Sequence, residues 1–308
     1  MREVRFPESI EQLKPGDHLC CIYETEEQHR DLLTPFLNQG LIQQEKVFYI
    51  INHHSSGDIL DYLRSAGLKV EPYLEAGQLR ILAPEDTYLR NRVFDPHEII
   101  ALLETNTKQA LAEGWAGLRV TGEMTWALQG MPGSDRLIEY GAELNKFLPG
   151  SHCIALCQYD RHSFEPQVLL NVLRTHPTAV IGTEIYRNFY YVSPEALLGT
   201  RPVEAELQRW IENLVEHKRA VEALRESEEY QRAMIAASPL AIFSLDPDGR
   251  VLTWNKAAEG IFGWSEEEVV GRFLPIVPED QLGIFTKLRE RVIGGEEFSQ
   301  IELTRRRK

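Results

Sequence analysis

Between Gly16 and about Tyr191, short apolar runs alternate with longer segments that have the hydrophobic period of a helix. Parallel strands that are buried on both faces appear in a sequence as such runs, and the helices that cover them appear as the segments between. The alternation predicts an α/β domain with a mainly parallel sheet. The predicted strands are His18–Tyr23, Lys46–Asn52, Leu79–Leu82, Gly117–Thr121, Cys153–Tyr159 and Ala179–Gly182, with a possible final strand at Asn188–Val192.

One predicted helix of this region has recognisable ends. Ser55 and Ser56 precede the segment Asp58–Ala66, and Gly67 follows it. Serine side chains accept hydrogen bonds from the first amides of a helix, and glycine tolerates the left-handed conformation that ends one. The alternation therefore has local support.

Length and charge limit the classes of protein that fit this chain. Its 308 residues favour two domains, and its formal net charge of −14 repels phosphate backbones and anionic lipids. No apolar run approaches the roughly 20 residues that a membrane helix needs, and the N-terminus lacks the apolar centre of a signal peptide. We expect a cytoplasmic protein whose partners are neither nucleic acid nor membrane.

The pattern changes after Pro202. Seven mainly apolar residues, which we call the seam residues, recur there at spacings of three and four. Charged side chains fill most of the positions between them. This heptad pattern favours a coiled coil that forms a homodimer over residues 199–231, although a helix packed on its own domain remains the alternative. The seam residues are Val203, Leu207, Trp210, Leu214, His217, Val221 and Leu224.

The loop after the first strand opposes nucleotide binding. A phosphate loop needs several glycines and a Gly-Lys-Ser/Thr sequence, whereas this loop reads Tyr23-Glu-Thr-Glu-Glu-Gln-His-Arg30. Thr25 and Gln28 have capping-box spacing, and Glu26 and Glu27 place carboxylates at the positive end of the helix. The sequence predicts a self-capped helix and no catalytic centre.

Ligand sites of open α/β sheets lie beyond the carboxyl ends of the strands. Aromatic and polar residues at those ends predict a small-molecule pocket with no catalytic residue, because aromatic walls offer area and a few polar groups orient a ligand. Arg119 and Glu123 could instead form a structural ion pair, with Trp126 in the core. The expected ligand-binding residues are Tyr23, His53, Arg119, Glu123, Trp126 and Tyr159.

No metal site is expected. His53 and His54 are neighbours on an extended chain and point to opposite sides. Cys153 and Cys157 lie about 13 Å apart along one strand, so they and the pair Cys20-Cys21 are expected to be buried free thiols, with a cross-strand thiol pair as the alternative.

Several of these segments resemble one known family. Gly16–Tyr23, Lys46–Asn52, Arg119–Trp126, Cys157–Asp160 and His176-Pro177 are similar to the MEDS domain, the methanogen/methylotroph sensory domain of dichloromethane-responsive regulators and many sensor kinases. The resemblance covers roughly residues 5 to 198. It implies a relative of the RecA/KaiC ATPases that has lost the phosphate loop, and a ligand among small hydrocarbon derivatives.

The last segment resembles a PAS domain. The matching residues are Ser238–Gly249, Trp254–Ala258 and Phe262–Gly271, and a hairpin is predicted over Phe243–Trp254 around an Asp-Pro-Asp-Gly turn. The chain ends where the third of five PAS strands should be ending, so we expect a truncated domain. It contains no His or Cys after His217, which excludes histidine-ligated haem and a cysteinyl-flavin adduct here; any cofactor is unknown.

Taken with the resemblances, the sequence predicts an α/β sensory domain over residues 1–198, a helical linker over 199–231 and a partial α+β PAS domain over 232–308. The expected function is the input region of a PAS-containing histidine kinase or regulator that binds a small molecule without hydrolysing nucleotides. Kinase activity would require a core downstream. The alternatives are a divergent RecA/KaiC-like NTPase and a ligand-free assembly scaffold.

Overall fold

The computed structural model describes residue 7 and residues 9–90, 92–199 and 202–308, without the side chains of residues 202 and 205. The chain divides into two compact units, one ending at Leu214 and one beginning at Val215. Residues 200 and 201 of the predicted linker lie outside the described residues. The three-part division predicted above stays a prediction.

The first unit is an α/β domain with a seven-stranded sheet. Its strand order is β3-β2-β4-β5-β1-β6-β7, and all neighbours are parallel except β6 and β7. The predicted α/β class and mainly parallel sheet are confirmed. The strands β1 to β7 are His18–Tyr23, Lys46–Ile50, Leu79–Leu82, Leu118–Glu123, Cys153–Asp160, Thr178–Ile181 and Glu184–Arg187.

Helices cover both faces of this sheet, so each face has its own core. The helices α1 to α8 are Glu26–Ile42, Ser56–Ser65, Glu71–Glu75, Pro96–Ala112, Leu137–Phe147, Pro166–Thr175, Pro194–Leu197 and Pro202–Ala237. Apolar side chains of α1 and α2 pack on one face, and those of α4, α5 and α6 pack on the other. Ser55 caps α2 and forms a capping box with Asp58, as its sequence predicts in outline.

The final strand was predicted in the wrong place. Strand β7 is Glu184–Arg187, whereas Asn188–Val192 is not a strand. Gly182, with a φ of 63°, makes the turn that brings the chain straight back along β6, so that Glu184 pairs with Ile181. The Asn188 side chain then donates to the carbonyl groups of Leu173 and His176, which ties this segment to the end of α6.

The second unit contains the predicted hairpin. Strands β8 (Phe243–Leu245) and β9 (Val251–Trp254) are antiparallel, and Gly249 has a φ of 84° in the turn between them. A small core forms around Trp254 and Val269. Residues 294–308 form no strand, so the expected third PAS strand is absent from this described segment. The remaining helices α9 to α11 are Lys256–Phe262, Glu266–Val269 and Leu282–Ile293.

Candidate functional site

The carboxyl ends of β2 and β4 meet around one buried carboxylate. Glu123 is the last residue of β4, and the chain that leaves β2 passes over it. Its Oε2 accepts hydrogen bonds from the backbone amides of Asn52 at 2.8 Å and His54 at 3.2 Å, and from that of His53. Consecutive amides that converge in this way form an anion-binding nest. Here the protein's own carboxylate fills the nest.

The second oxygen of Glu123 continues into a side-chain network. Oε1 lies 3.0 Å from the Tyr49 hydroxyl and accepts a 2.9 Å hydrogen bond from Nδ1 of His54. The Nε2 of His54 donates across to Oε2 of Glu26 at 2.9 Å. We call Glu26, His29, Tyr49, His54, Glu123 and Gln158 the edge network.

His54 carries a proton at neutral pH. Burial disfavours the charged ring, but its hydrogen bonds to Glu123 and Glu26 outweigh burial and raise the pKa of His54 to about 9. Burial likewise opposes ionisation of Glu123, but the His54 ring and the nest amides outweigh it and lower the pKa of Glu123. The edge network therefore joins an imidazolium to two carboxylates.

The start of α1 is closed to an anion as well. Thr25 caps the helix by accepting the amide of Gln28 at 3.2 Å, and the Gln28 side chain accepts the amide of Glu24 at 2.9 Å. Glu26 and Glu27 occupy the first turn. A phosphate would meet negative charge here in place of free amide donors. The self-capped helix predicted for this loop is present.

Three residues of the edge network have the composition of a metal site but not its geometry. Single ligand atoms of Glu26, His29 and His54 lie within 4.8 Å of one another. The two imidazole rings, however, are stacked with centroids 4.6 Å apart and planes only 13° from parallel. Their lone pairs lie in the ring planes and therefore do not converge on one ion. His29 instead donates to Gln158 at 2.7 Å.

Three of the six predicted ligand-binding residues meet at this edge. Glu123 is the centre of the edge network, and His53 contributes its backbone amide. Tyr23, at the end of β1, packs its ring 4.4 Å from that of His29.

Arg119 lies elsewhere, and this corrects the prediction that it borders the pocket. Its side chain is fully buried at the opposite end of β4, where it forms a 2.5 Å ion pair with Glu45 and packs over the ring of Phe36. Gly40 makes room, because a Cβ there would lie 2.7 Å from the Arg119 side chain. Four residues of strand, about 13 Å, separate Arg119 from Glu123, so the alternative ion pair between them is wrong too.

Trp126 and Tyr159 lie on the other face of the sheet. Trp126 belongs to a 3-10 helix after β4 and is buried between Tyr88 and Phe94, with ring centroids 5.0 and 4.5 Å away. It is a core residue, which corrects its place in the predicted pocket. Tyr159, by contrast, lines a cavity of about 140 Å³ at the carboxyl end of β5.

This cavity, which we call the Tyr159 cavity, is mainly apolar. Most of its wall comes from the 3-10 helix after β4 and from α5 and α6, and a few polar side chains complete it. Apart from Tyr159, these lining residues are not among those predicted from the sequence, although the apolar spacing of Val168 and Val172 on α6 indicates that both face the core. The lining residues are Ala127, Leu128, Ser134, Asp135, Leu137, Ile138, Tyr159, Phe164, Val168, Asn171, Val172 and Thr175.

A larger cavity of about 460 Å³ lies between the sheet and α4. Its apolar floor includes Phe48 and Leu103, but charged side chains such as Arg80, Glu85 and Arg90 surround it. None of the six predicted residues is among the described residues that line it.

Comparison with known proteins assigns the first unit to a family. Residues 17–177, more than half of the chain, match the family model described as the methanogen/methylotroph, DcmR sensory domain, or MEDS. This chain belongs to the MEDS family. The matched range of this MEDS protein contains the entire edge network and the Tyr159 cavity.

Residues 228–308 of the MEDS protein match the model of the PAS fold. Over 161 residues, the chain is 30% identical to the transcriptional repressor DcmR of Methylorubrum extorquens; the match covers 52% of this chain and 58% of that protein. The chain thus spans less than two thirds of that curated relative. Both predicted resemblances are confirmed, and a MEDS domain followed by a PAS fold gives this protein a sensory role in signal transduction.

Solved structures similar to the MEDS protein include the flagellar accessory protein FlaH of Methanocaldococcus jannaschii, with 12% identity and a TM-score of 0.39 over 56% of this chain and 76% of that one. A KaiC-like protein of Pyrococcus horikoshii has 12% identity and a TM-score of 0.37 over 54% and 71%. In the part of the chain that the structure describes, no helix has both the length and the apolarity needed to cross a bilayer.

Proposed function

We propose that the MEDS domain detects a small, mainly apolar organic molecule in the Tyr159 cavity and that it does so without hydrolysing nucleotides. The observation that carries this proposal is the cavity itself, because it lies at the carboxyl edge of the sheet and has apolar walls with a few polar groups. An apolar cavity of about 150 Å³ in another protein holds benzene, so about 140 Å³ suits a ligand of that size.

The edge network supports the second half of the proposal. A nucleotide needs free amides and a cation to hold its phosphates. In this domain the nest at the end of β2 already holds Glu123, and the first turn of α1 carries Glu26 and Glu27. Like charges at both positions oppose phosphate binding, which disfavours the alternative of a divergent NTPase.

We further propose that the protein acts as a homodimer through α8. Part of this helix packs on the MEDS domain, where Glu206 pairs with Arg174 at 2.9 Å and Asn213 donates to the carbonyl of Phe189. The seam residues face elsewhere: Leu214 is 71% exposed, and the other six are also exposed. The seam residues of a second copy would pack against these exposed side chains and cover them.

A full signalling protein of this type would pass the ligand signal through the PAS unit to an output. The resemblance to sensor kinases favours a histidine kinase, and similarity to DcmR favours a transcription regulator. The cytoplasm, where such proteins meet their partners, is the proposed location.

Thermal-shift measurements test the ligand proposal. We would screen small alcohols, ketones, aromatic and halogenated hydrocarbons against the full chain. A ligand at about 100 times its Kd stabilises by about 2.7 kcal/mol, which raises Tm by roughly 5 to 10 °C for a domain of this size. Val168→Phe fills the cavity and should abolish the shift. Leu170→Phe, on the exposed side of α6, is the matched control and should retain it.

A compound whose stabilisation survives Val168→Phe binds outside the Tyr159 cavity and contradicts the proposal. The same holds if the screen stabilises neither the wild type nor the control variant.

A further inference from the structure

A second cluster of chemically versatile side chains lies beneath α5 and α6, away from the edge network. His18 begins β1, Cys157 lies in the neighbouring strand β5, and His176 follows α6 just before β6. All three side chains are buried, and one ligand atom of each lies within 4.8 Å of the other two. The sheet order β5-β1-β6 brings together residues that are up to 158 positions apart in sequence.

Hydrogen bonds orient both imidazole rings in the same way. Nδ1 of His18 donates to Oδ1 of Asn145 at 2.9 Å, and Nδ1 of His176 donates to the carbonyl of Val172 at 2.8 Å. Asn145 is itself oriented, because its amide nitrogen donates to the Gly141 carbonyl at 2.8 Å. Metal-binding histidines have this arrangement: one ring nitrogen donates to an oxygen, and the other presents its lone pair.

The remaining nitrogens are available to a ligand. Nε2 of His18 lies 3.8 Å from Sγ of Cys157. Nε2 of His176 is buried and has no hydrogen-bond partner among the described residues. An orphaned buried acceptor costs free energy, so its presence calls for an explanation. The centroids of the two rings lie 4.1 Å apart and their planes are inclined by 41°, so these rings are tilted, whereas those of the edge network are stacked.

We propose that His18, Cys157 and His176 bind one soft metal ion, namely monovalent copper. Thiolate and imidazole ligands suit Cu(I) and zinc. With the zinc–sulfur length of about 2.3 Å and the zinc–nitrogen length of about 2.05 Å as guides, sulfur and nitrogen ligands of one ion lie about 3.6 to 3.8 Å apart. Cys157 Sγ and His18 Nε2 lie 3.8 Å apart, within this range.

Charge favours the monovalent ion. Both rings are buried and each donates one hydrogen bond from Nδ1, so both Nε2 atoms are neutral ligands. No Asp or Glu of the described chain joins the cluster. One thiolate with Cu(I) makes a neutral complex, whereas a divalent ion with the same ligands leaves a charge in an apolar interior.

Cu(I) would replace the thiol proton of Cys157, which passes to solvent. Cys157 is a buried free thiol, and the copper–sulfur bond must offset the cost of ionising it. Cys20 pairs with Cys157 in register across β1 and β5, but it is outside the three-residue cluster. Zinc would need Cys20 as a second thiolate to reach neutrality, and this distinguishes the two metals.

The test is an anaerobic titration of the full chain with Cu(I) in competition with the chromophoric chelator bicinchoninate. We expect one tightly bound ion per chain and a loss of affinity of at least about 100-fold in Cys157→Ala. Cys21→Ala is the matched control. Cys21 is equally buried but on the opposite face of the sheet, and this variant has the same number of thiols as Cys157→Ala. It should bind copper like the wild type.

X-ray absorption of the copper-loaded wild type covers the case in which Cys157→Ala fails to fold. It should show one sulfur and two nitrogen neighbours. A copper shell without sulfur, equal copper affinity in the Cys157→Ala and Cys21→Ala variants, or preferential zinc binding that Cys20→Ala abolishes would each overturn the proposal. Val168→Phe should leave the titration unchanged, so a failed ligand screen and a failed copper titration are separate results.

Discussion

Replacing His54 with glutamine should remove a pH-dependent part of the stability of the MEDS domain. The ring is almost fully buried between Glu123 and Glu26, and the pKa of His54 is raised from 6.5 to about 9. A histidine whose pKa is higher in the folded state adds stability that is fully present below pH 6.5 and is lost as the pH rises through about 9.

The size of the effect follows from the same values. Each pKa unit corresponds to about 1.4 kcal/mol, so the difference between 6.5 and about 9 amounts to about 3 kcal/mol. The side chain of Glu26 is 64% exposed, and solvent screens its half of the interaction. We therefore expect about 2 kcal/mol less unfolding free energy in His54→Gln than in wild type at about pH 6, and little difference at about pH 10.

Urea unfolding followed by fluorine NMR of 5-fluorotryptophan measures this difference, because Trp126 reports on the MEDS core alone. His53→Gln is the matched control, because the side chain of His53 is adjacent in sequence but exposed. The unfolding free energy of this variant should equal that of the wild type at both pH values. A stability difference between wild type and His54→Gln that stays constant from about pH 6 to about pH 10 would refute the protonated bridge.

Three further predictions concern other parts of the molecule. The purified chain should hydrolyse ATP and GTP no faster than buffer, and turnover that Glu123→Gln abolishes would establish an NTPase instead. Leu214→Glu should convert a dimer to a monomer in sedimentation, because each copy loses about 1.5 to 3 kcal/mol of apolar burial and gains a charge; an unchanged dimer would contradict the seam. Arg119→Met should lower the unfolding free energy in urea by about 3 to 5 kcal/mol, since Glu45 stays buried without its partner, and a loss below about 1 kcal/mol would contradict a buried pair.

Sequence periodicity predicts most strands of the sheet correctly, because strands that are buried on both faces appear as short apolar runs. His18–Tyr23 and Leu79–Leu82 have the predicted bounds, and four other strands differ by one or two residues at one or both ends. The predicted position of the last strand is wrong for a local reason. The sequence predicts that Gly182 ends a strand, whereas its positive φ makes it the turn into an antiparallel neighbour.

The candidate site was harder to predict because it depends on side-chain direction. Residues 119 and 123 share a face of β4 but lie at opposite ends of it, so their proximity in sequence is misleading. After Glu123 the chain becomes a 3-10 helix, which turns Trp126 to the other face. Glu26 was recognised as a helix-start carboxylate, but its partner His54 is 28 residues away, and only the fold brings the two together.

The proposed sensing function has its most direct test in methyl NMR of the full chain, with Ile, Leu and Val methyl groups labelled. Small halogenated and aromatic hydrocarbons would be titrated into the protein. We predict saturable shifts centred on the methyl groups that line the Tyr159 cavity, above all those of Val168, Val172 and Leu137, with exposed Leu170 unaffected. Saturable shifts confined to methyl groups outside that lining, or no saturable shift with any compound, would contradict the account.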